Sequence, residues 1–201
     1  MHLFFKLILI YAICMKQFLF AVGVVGVFFS FLQFSNPSLI GDDDVYWHIR
    51  YSENILTVEN LTRDFFGDPI PYAGVLFHLI LAPFTLISNI FVAQKVAGIF
   101  FVCLITALTF LIVKKINIRN PAIWTIAIFF ISVNFSFRII LVRTFLMSII
   151  LLLLGIYFLL LKKRWALYAV AIAYGLSYSI PFLLAVGIIW TISQIIVQGK
   201  K

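Results

Sequence analysis

Acidic side chains are scarce in this chain, and its long apolar stretches contain none. Seven Asp and Glu residues occur among 201 residues, and all lie between Gly41 and Asp68. They are Asp42, Asp43, Asp44, Glu53, Glu59, Asp64 and Asp68. An ionised carboxylate inside a bilayer costs several kcal/mol, so this distribution indicates one polar segment outside the hydrocarbon. That segment, here called the acidic window, is the first place to look for chemistry.

Charged residues of both signs make up only 11% of the chain, whereas hydrophobic residues make up 64%. A soluble domain has about 25% charged and about 45–50% apolar residues, so the composition predicts an integral membrane protein surrounded by lipid. Much of the net charge of +8 comes from Lys and Arg at the ends of apolar runs, where such residues set orientation. Because no basic patch is interleaved with polar surface, we expect no nucleic-acid partner.

Cysteine is also scarce, which excludes a disulfide framework. The two cysteines, Cys14 and Cys103, each lie inside an apolar run and have no metal-like spacing. Free Cys behaves as a small buried hydrophobic residue. We therefore expect neither a disulfide nor a cysteine-based metal site.

Long apolar runs are abundant, and a spanning helix needs about 20 such residues. The runs cover residues 16–34, 72–91, 96–113, 122–137, 144–161 and 165–197. As a helix, the last run would measure about 50 Å, which exceeds a roughly 30 Å hydrocarbon core. Pro181 is expected to divide it into two short spans, with one kinked span as the alternative. The sequence therefore predicts an all-α, polytopic membrane helical bundle of about six spans, with residues 72–91 lying along the interface.

The distribution of Lys and Arg predicts the orientation of this bundle. A cytoplasmic amino terminus with an interfacial 72–91 leaves ten basic residues inside and five outside. A crossing 72–91 with the amino terminus outside gives the same ratio, but Lys6 and Lys16 before the first span favour the cytoplasmic start. The predicted organisation is one transmembrane domain (1–201), comprising an extracytoplasmic loop with an acidic helix and an interfacial apolar helix (35–95) and a helical bundle (96–197).

The acidic window opens with a pattern that predicts a helix, because Asp is favoured at a helix start as a cap and by the helix dipole. Residues three and four apart share a face. A helix beginning near Asp44 would have three strips: Asp44, His48 and Tyr51; Asp43, Trp47, Arg50 and Asn54; and Val45, Ile49, Ser52 and Leu56. The third strip is moderately apolar and is expected to rest on the membrane, with the aromatic residues at headgroup level.

The polar strips of this helix admit two interpretations. Clustered carboxylates suit Mg²⁺ or Mn²⁺ bound together with substrate phosphates, and a carboxylate can accept a proton from an attacking hydroxyl. His48 and Arg50 can contact a phosphate or a sugar, since Arg suits bidentate phosphate binding. The alternative is a capped, solvated loop helix whose acids keep it off the anionic membrane surface. Spacing alone leaves both open.

Three more polar residues lie within or beside apolar runs. Arg138 and Arg143 stand at the predicted outer ends of two spans, either as interfacial anchors that snorkel or as ligands of a donor phosphate. His78 lies inside residues 72–91, and we expect it to be an interfacial histidine with satisfied hydrogen bonds more readily than a ligand.

The stretch Gly41-Asp-Asp-Asp-Val-Tyr-Trp-His-Ile-Arg50, just after a first span, resembles the start of the first external loop in GT-C glycosyltransferases. The similarity is greatest to the catalytic subunit of archaeal and bacterial oligosaccharyltransferases, in which an Asp, aromatics and then an Arg open that loop. Residues 64–72 resemble the segment that leads into an interfacial helix there. The basic turn at Lys114 and Lys115 follows the family order, and the pattern of spans extends over residues 18–161.

This resemblance implies a polyprenyl-phosphate-linked sugar donor and inverting transfer to an extracytoplasmic acceptor. It assigns the catalytic base or metal ligand to the loop-opening Asp. Asp43 is the first choice by its spacing to Arg50, with Asp42 and Asp44 as the alternatives and as the ligands of Mg²⁺ or Mn²⁺. His48, Arg50, Arg138 and Arg143 are the expected substrate-binding residues.

The chain also departs from the family pattern. The second acidic motif, expected between two later spans, is absent, because residues 134–143 contain no carboxylate. A Trp-Trp-Asp-type acceptor motif is missing too, and the spans are fewer than the family's full set. The chain is therefore expected to be a fragment or a minimal relative that needs a partner membrane subunit. A non-catalytic subunit of a glycan-assembly complex is the alternative function, and a transporter fits less well because the spans have almost no ionisable groups.

Overall fold

The computed structural model of the protein describes residues 2–35, 43–55 and 74–177, and this part of the chain is helical with no β-strand. Its elements are α1 (His2–Ser35), α2 (Asp43–Ile55), α3 (Val75–Leu81), a 3-10 helix (Ala82–Leu86), α4 (Ile90–Lys115), α5 (Pro121–Phe130), α6 (Val133–Ile140), α7 (Thr144–Leu160) and α8 (Arg164–Ser177). The all-α class predicted from the sequence is confirmed for these residues.

Two helices are long and apolar enough to cross a membrane. They are residues Tyr11–Ser35 of α1 and the whole of α4. Asn89 caps α4, because its side-chain oxygen accepts hydrogen bonds from the backbone N–H groups of Phe91 and Val92. This cap begins α4 about one and a half turns before the apolar run at residue 96, so residues 90–95 belong to a membrane-length helix instead of the predicted loop.

The run over residues 122–137 does not form the continuous helix expected of it. α5 ends at Phe130, and α6 leaves it at an angle of 87°. Ser132 stabilises the new direction, since its side chain accepts a hydrogen bond from Phe135 N and caps α6. The hydroxyl of Ser136 donates back to the carbonyl of Phe129 across the break. Two polar side chains thus satisfy backbone groups that the bend releases.

The number of spans in the described residues is smaller than the predicted six. The two long helices qualify, and a third span results if the bent pair α5–α6 is counted as one. α7 is apolar but has 17 residues, about 26 Å, slightly less than a roughly 30 Å core. Pro181 and the rest of the final apolar run lie outside the described residues.

Close packing at the start of α4 brings three parts of the chain together. A Cβ at Gly98 would lie 3.0 Å from Nε2 of Gln33 on α1 and 3.3 Å from Cγ2 of Val142, just before α7. The end of α1 and the starts of α4 and α7 therefore share one end of the bundle. Because α2 follows α1 there, we call it the α2 end.

The opposite end of the bundle is basic. α4 packs along α7, and from the level of Gly98 both run away from the α2 end for about 26 Å at 1.5 Å per residue. Six basic residues lie at the carboxyl end of α4, in the turns after α4 and α7, and at the start of α8: Lys114, Lys115, Arg119, Lys162, Lys163 and Arg164. The bundle therefore separates these six cations from α2 along its length.

The core between the two ends is built from large apolar side chains of α1, α4 and α7. Phe29, Phe101, Ile105, Leu146 and Ile150 are buried in one cluster. Aromatic side chains dominate such cores because each buries a large area in a rigid shape. This cluster holds the α2 end in place, since Phe77 of α3 stacks on Phe101 at a centroid distance of 5.6 Å.

Candidate functional site

The acidic helix α2 lies on α3 and the 3-10 helix at the α2 end of the bundle. It begins at Asp43, one residue from the predicted start. Ile49 is 1% exposed and Ser52 is fully buried, and the Ser52 hydroxyl donates to the carbonyl of His48. The prediction that this face rests on the membrane is therefore wrong for these two residues, because other parts of the protein cover them.

A pair of histidines joins α2 to α3. Nδ1 of His48 lies 2.9 Å from Nε2 of His78, and Nδ1 of His78 lies 2.8 Å from the carbonyl oxygen of Gly74. Because a carbonyl oxygen can only accept, Nδ1 of His78 carries the proton and donates it. The expectation of a hydrogen-bonded His78 is met, and its partner is a predicted substrate-binding residue.

The surroundings of His78 keep it neutral. Its side chain is 3% exposed, and α3 is a short apolar helix outside the two membrane-length helices. Burial, and after it the neighbouring His48, lower the pKa of His78 to about 3, against the opposing effect of the bond to Gly74. A neutral His78 offers one acceptor, its Nε2, to the ring of His48.

Aromatic rings enclose the histidine pair. Trp47 stacks on Tyr51 with 9° between the rings, and the Tyr51 ring meets His78 edge-on at 4.4 Å between centroids. Phe77 meets His48 edge-on at 5.4 Å. His48 and Tyr51, predicted to share a strip on α2, both contact His78; that contact itself was not predicted. Tyr51 is buried in this cluster, and its predicted place at headgroup level stays a prediction.

Gly74 makes the backbone end of this arrangement possible. Its φ of 102° lies in a region that side chains with a Cβ rarely adopt. A Cβ there would also lie 3.0 Å from Cγ2 of Thr144 and 3.4 Å from Cε1 of His78. The glycine therefore lets α3 start against α7 and aim its carbonyl at the His78 ring.

Arg50 lies on the other side of α2 and forms an ion pair with Glu53. Nη1 of Arg50 is 2.8 Å from Oε2 of Glu53, and both side chains are about half exposed. They line a small cleft of about 110 Å³ together with Thr85 and Ser88. The other lining residues, Ile49, Ile87, Ile90 and Ala93, are apolar, so the cleft combines a guanidinium, a carboxylate and two hydroxyls with an apolar surface.

The three aspartates predicted to form the catalytic and metal site are at the start of α2. Asp43 and Asp44 begin the helix, but their side chains, and all of Asp42, lie outside the described residues. Among the side chains that the structure does describe, no group of three His, Cys, Asp or Glu could hold a metal ion. The assignment of Mg²⁺ or Mn²⁺ to Asp42 and Asp44 stays a prediction.

Arg138 and Arg143 flank the junction between α6 and α7 at the α2 end. Arg138 is exposed in the last turn of α6, and Arg143 is the half-buried residue preceding α7. Thr144 follows Arg143 directly and lies against Gly74, so the backbone of Arg143 is near the histidine pair. The structure thus brings Arg143 close to α3, while Arg138 stays on the surface.

Two polar contacts at this end were not anticipated from the sequence. Gln33 is buried and donates to the carbonyl of Ile140, and Lys95 is buried with its Nζ 5.5 Å from the centroid of the Phe34 ring. A polar residue at the end of an apolar run can extend to the interface or set the orientation of the span, so its position in the sequence does not by itself predict a buried contact. The partners lie 107 residues apart in the first case, so spacing contained no signal for it.

Comparison of the chain with protein-family models, curated proteins and solved structures finds no match.

Proposed function

We propose that the protein is a GT-C-type membrane glycosyltransferase that transfers a sugar or glycan from a polyprenyl-phosphate-linked donor to an extracytoplasmic acceptor. The observation that carries this proposal is the docking of α2. Through His48 and His78, this acidic helix is fastened to the bundle at the end opposite the basic end. A solvated helix that merely avoids the membrane surface would not need a buried polar anchor of this kind.

The proposed roles follow from residue chemistry. Asp43 is the base that accepts the proton of the acceptor, with Asp42 and Asp44 as alternatives. Asp42 and Asp44 would hold Mg²⁺ or Mn²⁺, since these ions bind through one or two carboxylates plus substrate phosphates. Arg50, Arg138 and Arg143 would bind the donor phosphate, and His48 would contact the donor.

The proposed topology has a cytoplasmic amino terminus, about six spans, and a first extracytoplasmic loop with interfacial helices that ends at the Asn89 cap of α4 instead of at residue 95. The separation of the basic end from the α2 end supports it, because Lys and Arg accumulate on the cytoplasmic side. Glycosylation reporters test it. A reporter near Asp64 is expected to be modified and one near Lys115 to stay unmodified, whereas the reverse result would refute this topology.

The activity is tested with the purified protein in liposomes that contain polyprenyl-phosphate-linked hexoses, with and without a metal chelator. We expect metal-dependent release of polyprenyl phosphate in the presence of an acceptor. Changing Asp42, Asp43 and Asp44 together to Asn should lower the rate at least about 100-fold, since a general base contributes about 10²–10⁴.

The matched control is Glu59→Gln, which removes a charge from the same acidic window but not from the helix start. It should transfer at close to the parent rate. Full activity of the triple variant would refute the assignment of the aspartates, and equal losses in both proteins would show that overall acidity matters and not the cluster.

A second candidate function is supported by the missing acidic motif. Residues 134–143 contain two arginines and no carboxylate, so a catalytic partner acid would have to come from elsewhere. We propose as the alternative a non-catalytic membrane subunit of a glycan-assembly complex. Co-purification with a larger membrane enzyme, together with no donor binding by this chain alone, would favour the alternative.

A further inference from the structure

The break between α5 and α6 lies near the α2 end of the bundle. α5 runs in the same direction as α1, since Ala122 packs in one cluster with Ala21 and Phe129 meets Phe29 at a centroid distance of 6.3 Å. Phe29 precedes the end of α1 at Ser35 by about 9 Å of helix. The chain therefore turns away from α5 about 9 Å before the level at which α1 ends.

Beyond the break, α6 crosses the α2 end within one thin layer. Its axis makes an angle of 87° with α5. The far end of α6 is held at the level of Gln33, whose side chain donates to the carbonyl of Ile140. Gln33 lies about 6 Å further along α1 than Phe29. A layer of about this thickness corresponds to one interfacial region of a bilayer, which is about 5–7 Å deep on each side.

One side of α6 packs on the bundle and another is apolar but uncovered. Residues four apart on a helix share a face. Ile139 is fully buried in the main core cluster, and Phe135 packs against that cluster. On the uncovered side, Val133 is 84% exposed and Phe137 is 54% exposed. These two residues form an apolar strip that the protein leaves open.

A polar strip lies beside this apolar strip and faces away from the middle of the bundle. The hydroxyl of Ser136 donates to the carbonyl of Phe129 on α5, so the Ser136 side of α6 faces back along α5. At about 100° per residue, Asn134 and Arg138 lie about 160–200° around the helix axis from Ser136. Both are exposed. They therefore face outwards beyond the α2 end, while the apolar strip faces sideways.

We propose that α6 is an interfacial membrane helix in the leaflet at the α2 end, with Val133 and Phe137 among the acyl chains and Arg138 at the level of the lipid phosphates. An interfacial helix buries its apolar face about 5–10 Å into the boundary between headgroups and acyl chains and keeps its cationic side chains at the headgroups. A guanidinium suits a phosphate oxygen there. A covering protein helix would not require the polar strip to face outwards.

This arrangement does not depend on sugar transfer or on which side of the membrane the α2 end faces. The phosphate of a polyprenyl-linked donor lies at the same depth as the lipid phosphates. The place of Arg138 is therefore compatible with its role in the proposed function, and a failure of that function leaves the interfacial helix intact.

The depth of α6 is tested by spin labelling of the full chain in lipid nanodiscs. The two native cysteines are replaced as Cys14→Ala and Cys103→Ala, and single cysteines are then introduced on both strips: Val133→Cys, Asn134→Cys, Phe137→Cys and Arg138→Cys. Labels on the apolar strip should collide mainly with oxygen, and labels on the polar strip mainly with a water-soluble nickel chelate. Because the strips differ in depth by several Å, the ratio of the two collision rates should differ at least about 3-fold between them.

Two positions calibrate the depth. Val27 is exposed near the middle of the first apolar run, so a label in Val27→Cys should be deeper than any on α6. Arg119 is exposed after the end of α4, so a label in Arg119→Cys should be in water. The label in Arg138→Cys should lie between these two, at the level of the phosphates.

Three results would overturn the proposal. Labels in Val133→Cys and Phe137→Cys that neither reagent reaches would show that protein, not lipid, covers the strip, and dipolar broadening would identify that protein as a second copy. Four labels as accessible to the chelate as that in Arg119→Cys would place α6 in water. Four labels as deep as that in Val27→Cys would make α6 a continuation of the span.

Tryptophan substitution gives an independent reading if the cysteine-free chain does not fold. The parent chain has four tryptophans, whose quenching by lipids brominated on the acyl chains is the background. Phe137→Trp should add clearly more quenching to this background than Asn134→Trp does. Equal added quenching in the two variants would contradict the arrangement of the strips.

Discussion

Nε2 of Gln33 donates a hydrogen bond of 3.0 Å to the carbonyl oxygen of Ile140 and so joins the end of α1 to the α6–α7 junction. The amide is 3% exposed, and Gly98 provides the space for it, because a Cβ there would come within 3.0 Å of Nε2. One buried polar contact and one glycine thus bring together three helices that frame the candidate site.

Gly98→Ala is expected to displace the Gln33 amide and to weaken its bond to Ile140. Crowding of a packed interior costs about 1–3 kcal/mol, so the free energy of unfolding in a mixed-micelle titration should fall by that amount. Gly23→Ala is the control, since nothing lies within 4 Å of a Cβ at that position, and it should leave stability unchanged or raise it slightly. Equal effects of the two substitutions would contradict the role of Gly98.

Gly74→Ala should destabilise the protein by about 1–3 kcal/mol, because an alanine at a φ of 102° is strained and its Cβ meets Thr144. It should also change the NMR signals of His78, whose ring donates to the Gly74 carbonyl. Gly155→Ala serves as the comparison, since a Cβ there makes an ordinary contact of 3.8 Å. If His78 keeps its signals in Gly74→Ala, the carbonyl does not orient the ring.

The stability of the protein should fall between pH 8 and pH 5 because of His78. Its pKa of about 3 in the folded protein is below the unfolded value of about 6.5. The unfolded chain therefore binds the proton first as pH falls. This lowers the free energy of unfolding by about 2 kcal/mol at pH 5 relative to pH 8.

His78→Phe should remove this part of the pH dependence. At pH 8 the variant should itself be less stable by about 1–3 kcal/mol, since it removes the two hydrogen bonds that His78 makes with His48 and with the Gly74 carbonyl. The measurement is the midpoint of denaturant unfolding as a function of pH. Parallel pH profiles for the wild type and the variant would exclude His78 as the titrating group.

The roles of Arg50 and Glu53 can be distinguished by substituting each member of their ion pair separately. The pair is half exposed, so Arg50→Gln and Glu53→Gln should each change stability by less than about 1 kcal/mol. If Arg50 binds the donor phosphate, only Arg50→Gln should raise the KM for a polyprenyl-phosphate-linked donor, by about 10-fold or more. Equal effects of both substitutions on KM would assign Arg50 to the ion pair alone.

The structure also shows where local patterns suffice as predictors. The long apolar runs predicted α1, α4 and α7, because a run of about 20 apolar residues leaves few alternatives to a buried helix. The start of α2 was predicted to within one residue from the preference of Asp for helix starts, which depends on residues adjacent in the chain. These features were predictable because the residues that cause them lie close together in the sequence.

The bend between α5 and α6 was not predictable in the same way. Residues 122–137 are apolar enough for one helix. The hydrogen bonds of Ser132 and Ser136 stabilise the 87° bend, but two serines in an apolar run do not predict a bend by themselves. Hydropathy measures the tendency to leave water, and a bent pair and a straight helix satisfy it equally.

The sequence by itself determined that this is an all-α protein with membrane-length helices, and that its carboxylates are confined to one acidic window. Charge and hydropathy are properties of individual residues, so conclusions drawn from them do not require knowledge of tertiary contacts. The tertiary structure alone decided that Ile49 and Ser52 face the protein and that His48 meets His78, 30 positions further along the chain. Those outcomes depend on how α2 packs on α3, and such packing results from the shapes of many side chains together.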